Sequence, residues 1–303
     1  MSPGDSTATN AAAGREPASG YPAWLAALSR RAAEVGGAAR PWAANRVLLS
    51  GLGSTNALAR RVVDEYLAED LALPAAAFVA WEQSAGRGRH GRSWSSPPGA
   101  GAWVTLLRPV ASVEELSRLP LLVPLGLCEG LDAHLPDDRP CGIKWPNDLV
   151  VDGRKIGGVL IDGVAPRGGE AGSGAAVIGF GVNLLQDDAE LAPLSVAGAL
   201  PATSVTRETG EAVPVAEVLW DLVEAVATRL ASTGDAAAAV ADYSRRSIHS
   251  PGEVLRCRSG EETLEGRFRG FDRNGFLRLE LSAPGAGRER GDEVLMRAGE
   301  VVA

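Results

Sequence analysis

Residues 141–162 read CGIKWPNDLVVDGRKIGGVLID. Three strand-length apolar runs, Cys141 to Trp145, Leu149 to Val151 and Ile156 to Asp162, are separated by too few residues for any crossover helix. Asp152-Gly153 between the second and third supplies the left-handed pair of a two-residue hairpin turn. A fourth run, Ala176 to Gly181, follows after a Gly-rich gap. Upstream, Arg46 to Leu49, Ala75 to Trp81 and Ala102 to Leu107 also read as strands, with a helix capped by Ser54 or Thr55 running through Val62, Val63 and Tyr66. Val113 to Leu135 is helical in pattern, but Pro120 and Pro124 predict a break or kink. Val218, Leu219, Leu222, Val223, Val226 and Leu230 form one apolar face behind Pro214, a firm helix over 214–230.

After Ser250-Pro251-Gly252 the period becomes two. Leu264, Gly266 and Phe268 alternate with Glu265, Arg267 and Arg269, Asn274-Gly275 turns the chain, and Leu277, Leu279 and Leu281 run back. The reading is an α+β chain: a mixed sheet with flanking helices over 43–246, then a small β-barrel-like domain over 247–303. Residues 1–42 are a tail, loose to about residue 20, followed by one short helix on Leu25, Leu28 and Ala32.

A 303-residue chain with 45% hydrophobic and 22% charged residues has room for a medium domain and a small one, and it has no apolar run of membrane-spanning length. No basic region followed by an apolar stretch opens the chain, so the expected compartment is the cytoplasm. Cys128, Cys141 and Cys257 are odd in number and lack C-x-x-C spacing, which argues for ordinary thiols over a disulfide framework or zinc site. His90, His134 and His249 are too scattered to suggest a ligand cluster. A net charge of -8 gives no general attraction to nucleic acid.

Four segments carry candidate chemistry. In Gly86-Arg87-Gly88-Arg89-His90-Gly91-Arg92-Ser93-Trp94 the glycines free the backbone while the arginines offer planar forks that match phosphate oxygens. The same composition suits a solvated loop or an arginine-glycine RNA-binding segment, although flanking strands favour a held site. Lys144-Trp145-Pro146-Asn147-Asp148, with Arg154 and Lys155 close by, combines cations for a carboxylate and a phosphate with an oxygen ligand for Mg²⁺, or is a solvated hairpin. Trp145 and Pro146 read as packing residues. Gly179-Phe180-Gly181-Val182-Asn183 lacks the third glycine and the following helix of a dinucleotide fingerprint, which disfavours a Rossmann dehydrogenase. Ser54-Thr55-Asn56 can hold a polar ligand head or simply cap a helix.

Together and in this order the motifs resemble the biotin protein ligase family: G-S-T-N, E-Q-x-x-G-R-G-R-x-G-R-x-W, K-W-P-N-D-L, G-R-K-x-x-G-V-L and G-x-G-V-N-L, over roughly residues 45 to 300. The resemblance implies an SH3-like C-terminal barrel and a two-step acyl transfer. Biotin and ATP form biotinyl-AMP, with Mg²⁺, and the biotinyl group passes to a lysine of a biotin carboxyl carrier protein. It implies Lys155, Arg89 and Arg92 as the catalytic cations, and Ser54, Thr55, Asn56, Gln83, Gly88, Arg89, His90 and Lys155 around biotin. For ATP it implies Arg89, Arg92, Trp94, Lys144, Asn147, Asp148 and Asn183, with Asp148 on the metal. His90 stands where the family often has another basic residue.

Repressor-type members carry a winged helix-turn-helix domain before the catalytic core. Here about forty residues with Arg15, Arg30, Arg31 and Arg40 offer one convincing helix, so the expectation is a monofunctional enzyme without DNA binding. The rivals are a lipoate or octanoate ligase of the same superfamily, disfavoured by the Arg/Gly loop and the K-W-P-N-D run, and a biotin-sensing DNA-binding repressor.

Overall fold

The computed structural model describes residues 20–164, 174–194, 200–232, 236–284 and 288–302. The expected loose tail, with Arg15, lies outside them. The larger body is a seven-stranded sheet in the order β1-β2-β3-β7-β6-β5-β4. Its strands are β1 (Arg46–Leu49), β2 (Ala76–Ala80), β3 (Gly101–Val110), β4 (Gly142–Lys144), β5 (Asp148–Val151), β6 (Arg154–Val164) and β7 (Gly174–Asn183). Only β1 and β2 pair in parallel; every other neighbour is antiparallel. The hairpin between β5 and β6 forms at Asp152-Gly153 as the sequence predicts, with φ of 46° and 72°.

Helices cover both faces because residues alternate along the strands. On one face α3 (Thr55–Ala68) buries Ala59 and Val63 against Phe78, Leu107, Ala175 and Val177. The opposite face, with Ala77, Val79, Val104, Leu106, Ile178 and Val182, takes α1 (Tyr21–Glu34), α4 (Val113–Asp132) and α7 (Val215–Ala231). α1 is no appendage. It buries Trp24, Leu28 and Ala32, and the Trp220 indole donates to Leu28 O at 3.1 Å. A second short helix, α2 (Arg40–Ala44), was not legible in the sequence; α5 (Asp188–Leu191), α6 (Val205–Thr209) and α8 (Ala236–Arg246) complete the set.

The expected break in α4 does not occur, since Pro120 and Pro124 both lie inside one helix. Each proline costs about 3 kcal/mol in a helix interior. Leu119, Leu121, Leu122, Val123, Leu125, Leu127 and Leu131 are buried along the same helix, at roughly 2 kcal/mol each, so packing outweighs the loss. Packing is also tight: a Cβ on Gly126 would stand 2.7 Å from Val226 Cα of α7. Cys128 and Cys141, 13 residues apart in sequence, are free buried thiols with their sulfurs 3.0 Å apart.

The second sheet is antiparallel, in the order β11-β10-β9-β8-β12, with β8 (Val254–Ser259), β9 (Glu262–Phe271), β10 (Leu277–Leu281), β11 (Glu293–Met296) and β12 (Glu300–Val302). The alternation holds: Leu264, Phe268, Leu277, Leu279 and Leu281 are buried. Its β9–β10 turn docks on the larger body, where the Trp145 indole donates to Gly275 O at 3.2 Å and Tyr243 meets Phe271 edge-on at 4.9 Å. Trp145 therefore braces the two sheets, the packing role expected of it. No helix among the described residues is long and apolar enough to cross a membrane.

Candidate active site

A cavity of about 730 Å³ opens on the α3 side of the sheet, between the N-terminus of α3, the Gly/Arg loop, the β4–β5 and β5–β6 turns and the edge of the second sheet. All four segments singled out in the sequence line it.

At one end is a polar cluster built on α3 and β3. Ser54 caps α3, accepting from Ala57 N–H at 3.5 Å. Gln83 Oε1 accepts from the Thr55 backbone N–H at 2.8 Å and from its hydroxyl at 3.1 Å, while Gln83 Nε2 donates to Ser96 Oγ at 2.8 Å. The Thr105 hydroxyl, fully buried, lies within hydrogen-bond reach of both Thr55 Oγ1 and Asn56 Oδ1. Asn56 Nδ2 has only a 3.4 Å contact with Leu160 O. The two glycines of Gly179-Phe180-Gly181 make room here. A Cβ at Gly179 would fall 1.9 Å from Asn56 Oδ1, and one at Gly181 would fall 2.4 Å from Trp94 Nε1. The motif is a packing requirement of this cavity, not a dinucleotide turn.

At the other end are the cations. β5 and β6 slip register between Leu149 and Val150, so Ile156 is an extra residue on β6 and the strand turns beside Lys155. Lys155 Nζ sits 2.6 Å from Asp148 Oδ1 and 5.3 Å above the Trp94 ring. Asn147 Nδ2 donates to Val159 O at 2.8 Å, holding the β4–β5 turn against β6. Lys144 also lines the cavity. Asn183 is buried at its edge with both ends of its amide engaged, donating to Thr203 O at 3.0 Å and accepting from Gln186 at 3.3 Å.

The Gly/Arg loop takes the form of a narrow ribbon. Gly88 N–H donates to Arg92 O at 2.8 Å and Trp94 N–H to Gly86 O at 2.9 Å, while His90 and Gly91 form the exposed tip with φ of 56° and 73°. Arg89 points inward, and its guanidinium donates to Asn147 Oδ1 at 3.3 Å and Gly299 O at 3.0 Å. Both acceptors are neutral. Among the described residues Arg89 pairs with no carboxylate, and burial pulls its pKa below the usual arginine value despite the pull of Asp148 and Glu300. A partly buried cation held by neutral acceptors is a site prepared for an anion. Arg92 instead pairs with Glu300 at 2.5 Å, and Arg258 binds the same carboxylate. Burial pushes the Glu300 pKa up, but bonds from Arg258 and Arg92 outweigh it and hold the carboxyl below its usual range.

Asp148 is the carboxylate beside Lys155, Glu300 being taken up by Arg92 and Arg258, and no group of three or more metal-ligating side chains forms among the described residues. One hard oxygen donor suits Mg²⁺ arriving with a nucleotide, which brings phosphate and water ligands of its own; it does not make an all-protein cage.

Thr105, Ser96, Arg258 and Glu300 were not foreseen. Thr105 had a signal, a lone hydroxyl in a strand otherwise apolar from Ala102 to Leu107. Arg258 and Glu300 had none, because only the docking of the second sheet brings them to the cavity.

The chain matches the model of the biotin/lipoate A/B protein ligase family over residues 54–183. It is 34% identical over 238 residues to a biotin--[acetyl-CoA-carboxylase] ligase of Paracoccus denitrificans, covering 77% of this chain and 92% of that protein. A ligase of the same name from Mycobacterium tuberculosis is 28% identical, with 82% and 85% covered. In fold the chain is similar to the biotin protein ligase of Aquifex aeolicus solved with biotin and ATP, with a TM-score of 0.59 at 22% identity over 84% of this chain and 99% of that one.

Proposed function

The chain belongs to the biotin/lipoate A/B protein ligase family, and from that premise we propose that it joins biotin to ATP and transfers the biotinyl group to a lysine of a biotin carboxyl carrier protein. The observation that carries the reading is the division of one cavity into a neutral hydrogen-bonding end and a cationic end. A ureido ring needs donors and acceptors in a sheltered site, and Thr55, Asn56, Gln83, Ser96 and Thr105 supply them. A lipoyl or octanoyl chain has no polar ring to join that hydrogen-bonded cluster, so it gains nothing from this end of the cavity.

In the first step a biotin carboxylate oxygen attacks the α-phosphorus of MgATP; the bond to the bridging oxygen of the leaving pyrophosphate breaks, and biotinyl-AMP remains. Two anions must approach, and fixed positive charge lowers that barrier. We assign Lys155 to the carboxylate and α-phosphate. Its ion pair with Asp148 holds the ammonium in place until the substrates arrive. Arg89 takes the phosphate of the adenylate, and Arg92 and Lys144 face the departing phosphates. Asp148 is the residue that would hold the Mg²⁺ of the nucleotide, which supplies charge neutralisation there. Trp94, wedged between Gly181 and Lys155, keeps water from the cation end. In the second step the carrier lysine amine attacks the acyl carbon, the bond to AMP breaks and a proton leaves the amine. His90, at the exposed tip, and Gly88 border biotin's entrance, while Asn147 and Asn183 shape the nucleotide end. We place the catalytic domain at 43–246, with α1 and the start of α2 packed on it, and the SH3-like domain at 247–303, and the site of action in the cytoplasm, where Cys128 and Cys141 stay reduced.

Lys155→Met tests the assignment. It should leave the fold intact and remove adenylate formation; biotinyl-AMP synthesis near the parent rate would refute the role of Lys155.

A further inference from the structure

Glu208 lies on α6, outside the lining of the cavity, yet its side chain is only 1% exposed and carries an unusual concentration of bonds. Arg154 Nε and Nη2 donate to its two oxygens at 3.1 and 3.0 Å, Arg139 Nη1 donates at 3.2 Å, and the Thr203 hydroxyl donates to it as well. Burial pushes the carboxyl pKa up, but the bonds from Arg154 and Thr203 and the charges of Arg154 and Arg139 outweigh it, so the group stays ionised below the usual carboxylate range. A carboxylate taken this far from water persists only when its lone pairs are met this fully.

What these bonds hold is the backbone on either side of the cation end. Lys155 N–H donates to Pro201 O at 2.7 Å and Lys155 O accepts from Thr203 N–H at 2.9 Å, so Lys155 is clamped by residues 201–203. Thr203 O accepts from Asn183 Nδ2 at 3.0 Å, and the Ser204 hydroxyl donates to Gln186 O at 2.6 Å while Gln186 donates back to Asn183. Glu208 grips this clamp at both ends, at Thr203 directly and at Arg154, the neighbour of Lys155. α6 has five residues, too few to hold its own shape, so tertiary bonds must fix it.

We propose that Glu208 is a positioning residue for adenylate formation, setting the 201–204 segment and through it the placement of Lys155 and Asn183. The inference rests on the role given to Lys155 above. A side chain that acts only by placing a catalytic cation affects the transition state more than ground-state binding of biotin, so the loss should fall on kcat.

The test is biotin-dependent exchange of pyrophosphate into ATP, with melting temperature measured alongside, in the full-length protein. Glu208→Gln should lower kcat about 10- to 100-fold, the range that a misplaced catalytic group produces. KM for biotin should stay within about twofold of the parent's, as expected when uniform binding is untouched. Thr203→Val should move kcat the same way. Arg139→Met, which meets the same carboxylate but does not neighbour Lys155, should lower the melting temperature and leave kcat at the parent's. A folded Glu208→Gln protein with the parent's kcat overturns the proposal, and so does an Arg139→Met protein that loses as much kcat. If Glu208→Gln does not fold, Thr203→Val decides, and an unchanged kcat there is the refutation. Lys155→Met run beside these separates the two levels. Loss of exchange in it with retention in Glu208→Gln fells the positioning role alone, whereas retention in Lys155→Met fells the reading beneath.

Discussion

Replacing Arg89 with glycine removes a cation that the folded chain holds ready without a carboxylate partner, and the structure sets the size of the effect. The bonds lost in the free enzyme are a 3.0 Å contact to Gly299 O and a 3.3 Å contact to Asn147 Oδ1, so stability should fall by only about 1 kcal/mol. The loss to bound adenylate is larger. A guanidinium about 4 Å from a phosphate, at the effective dielectric of a partly buried site, contributes up to about 4 kcal/mol. Solvent at the loop reduces this to roughly 2–4 kcal/mol, or about 30- to 700-fold in the dissociation rate of biotinyl-AMP. The assay is to let the enzyme form labelled biotinyl-AMP, dilute it, and follow escape of the intermediate. Mass spectrometry of an unrelated bystander protein then reports whether escaping adenylate modifies its lysines. The expected result is fast release and wide bystander labelling from Arg89→Gly, with a melting temperature near the parent's. Release at the parent's rate and labelling confined to the carrier would refute the assignment of Arg89 to the adenylate.

Further outcomes follow from the same contacts. Burial holds the His249 imidazole near a pKa of about 4; Glu253 opposes the shift and Lys144 adds to it, and the ring packs against Phe268. The unfolded chain takes up that proton near pH 6.5, so stability is complete above that value and falls as pH drops toward 4, by up to about 3 kcal/mol. His249→Phe should flatten that fall in acid melting curves, and an unchanged curve would contradict the buried neutral imidazole. Gly181→Ala places a methyl group against Trp94 and should impair adenylate formation while sparing the sheet, read as lost exchange with an unchanged circular dichroism spectrum. α1 spends its apolar face on α7, and Arg31 is committed to Glu217, Asp221 and Glu224, so these described residues present no recognition helix. A gel shift against the upstream region of the biotin genes, with biotinyl-AMP and moderate salt, should show no specific complex; a shift that competitor DNA fails to remove would promote the repressor reading.

The strands and turns were legible because their signals are local. Asp152-Gly153 turns as the left-handed pair predicts, the chain also turns at Asn274-Gly275 but within a longer 272–276 connection where only Gly275 is left-handed, and the apolar face of α7 is buried as its spacing requires. α4 runs unbroken through Pro120 and Pro124 because the local penalty of each proline is offset by nonlocal burial that the local sequence does not show. α2 and α6 are five residues each, too short to show a period. In the site, contiguous motifs showed the residues that line the cavity, while among their supports only Thr105 left a mark, as a lone hydroxyl in an apolar run. Thr105 belongs to a core strand, Glu300 to another sheet, and Glu208 reads as an ordinary surface acid in Thr206-Arg207-Glu208-Thr209. Each gains its meaning from a partner far along the chain, and Cys128 and Cys141, 13 residues apart, meet in a contact that no spacing rule anticipates.

Isotope exchange between pyrophosphate and ATP in the presence of biotin, lipoate or octanoate shows whether one cavity joins a ureido-bearing acid to the α-phosphate of ATP. Exchange is expected with biotin and none above background with the other two, because only biotin has a polar ring to bond Thr55, Asn56 and Gln83 at the neutral end while its carboxylate reaches Lys155. Exchange driven by lipoate or octanoate as well as by biotin, or none with biotin, would contradict it.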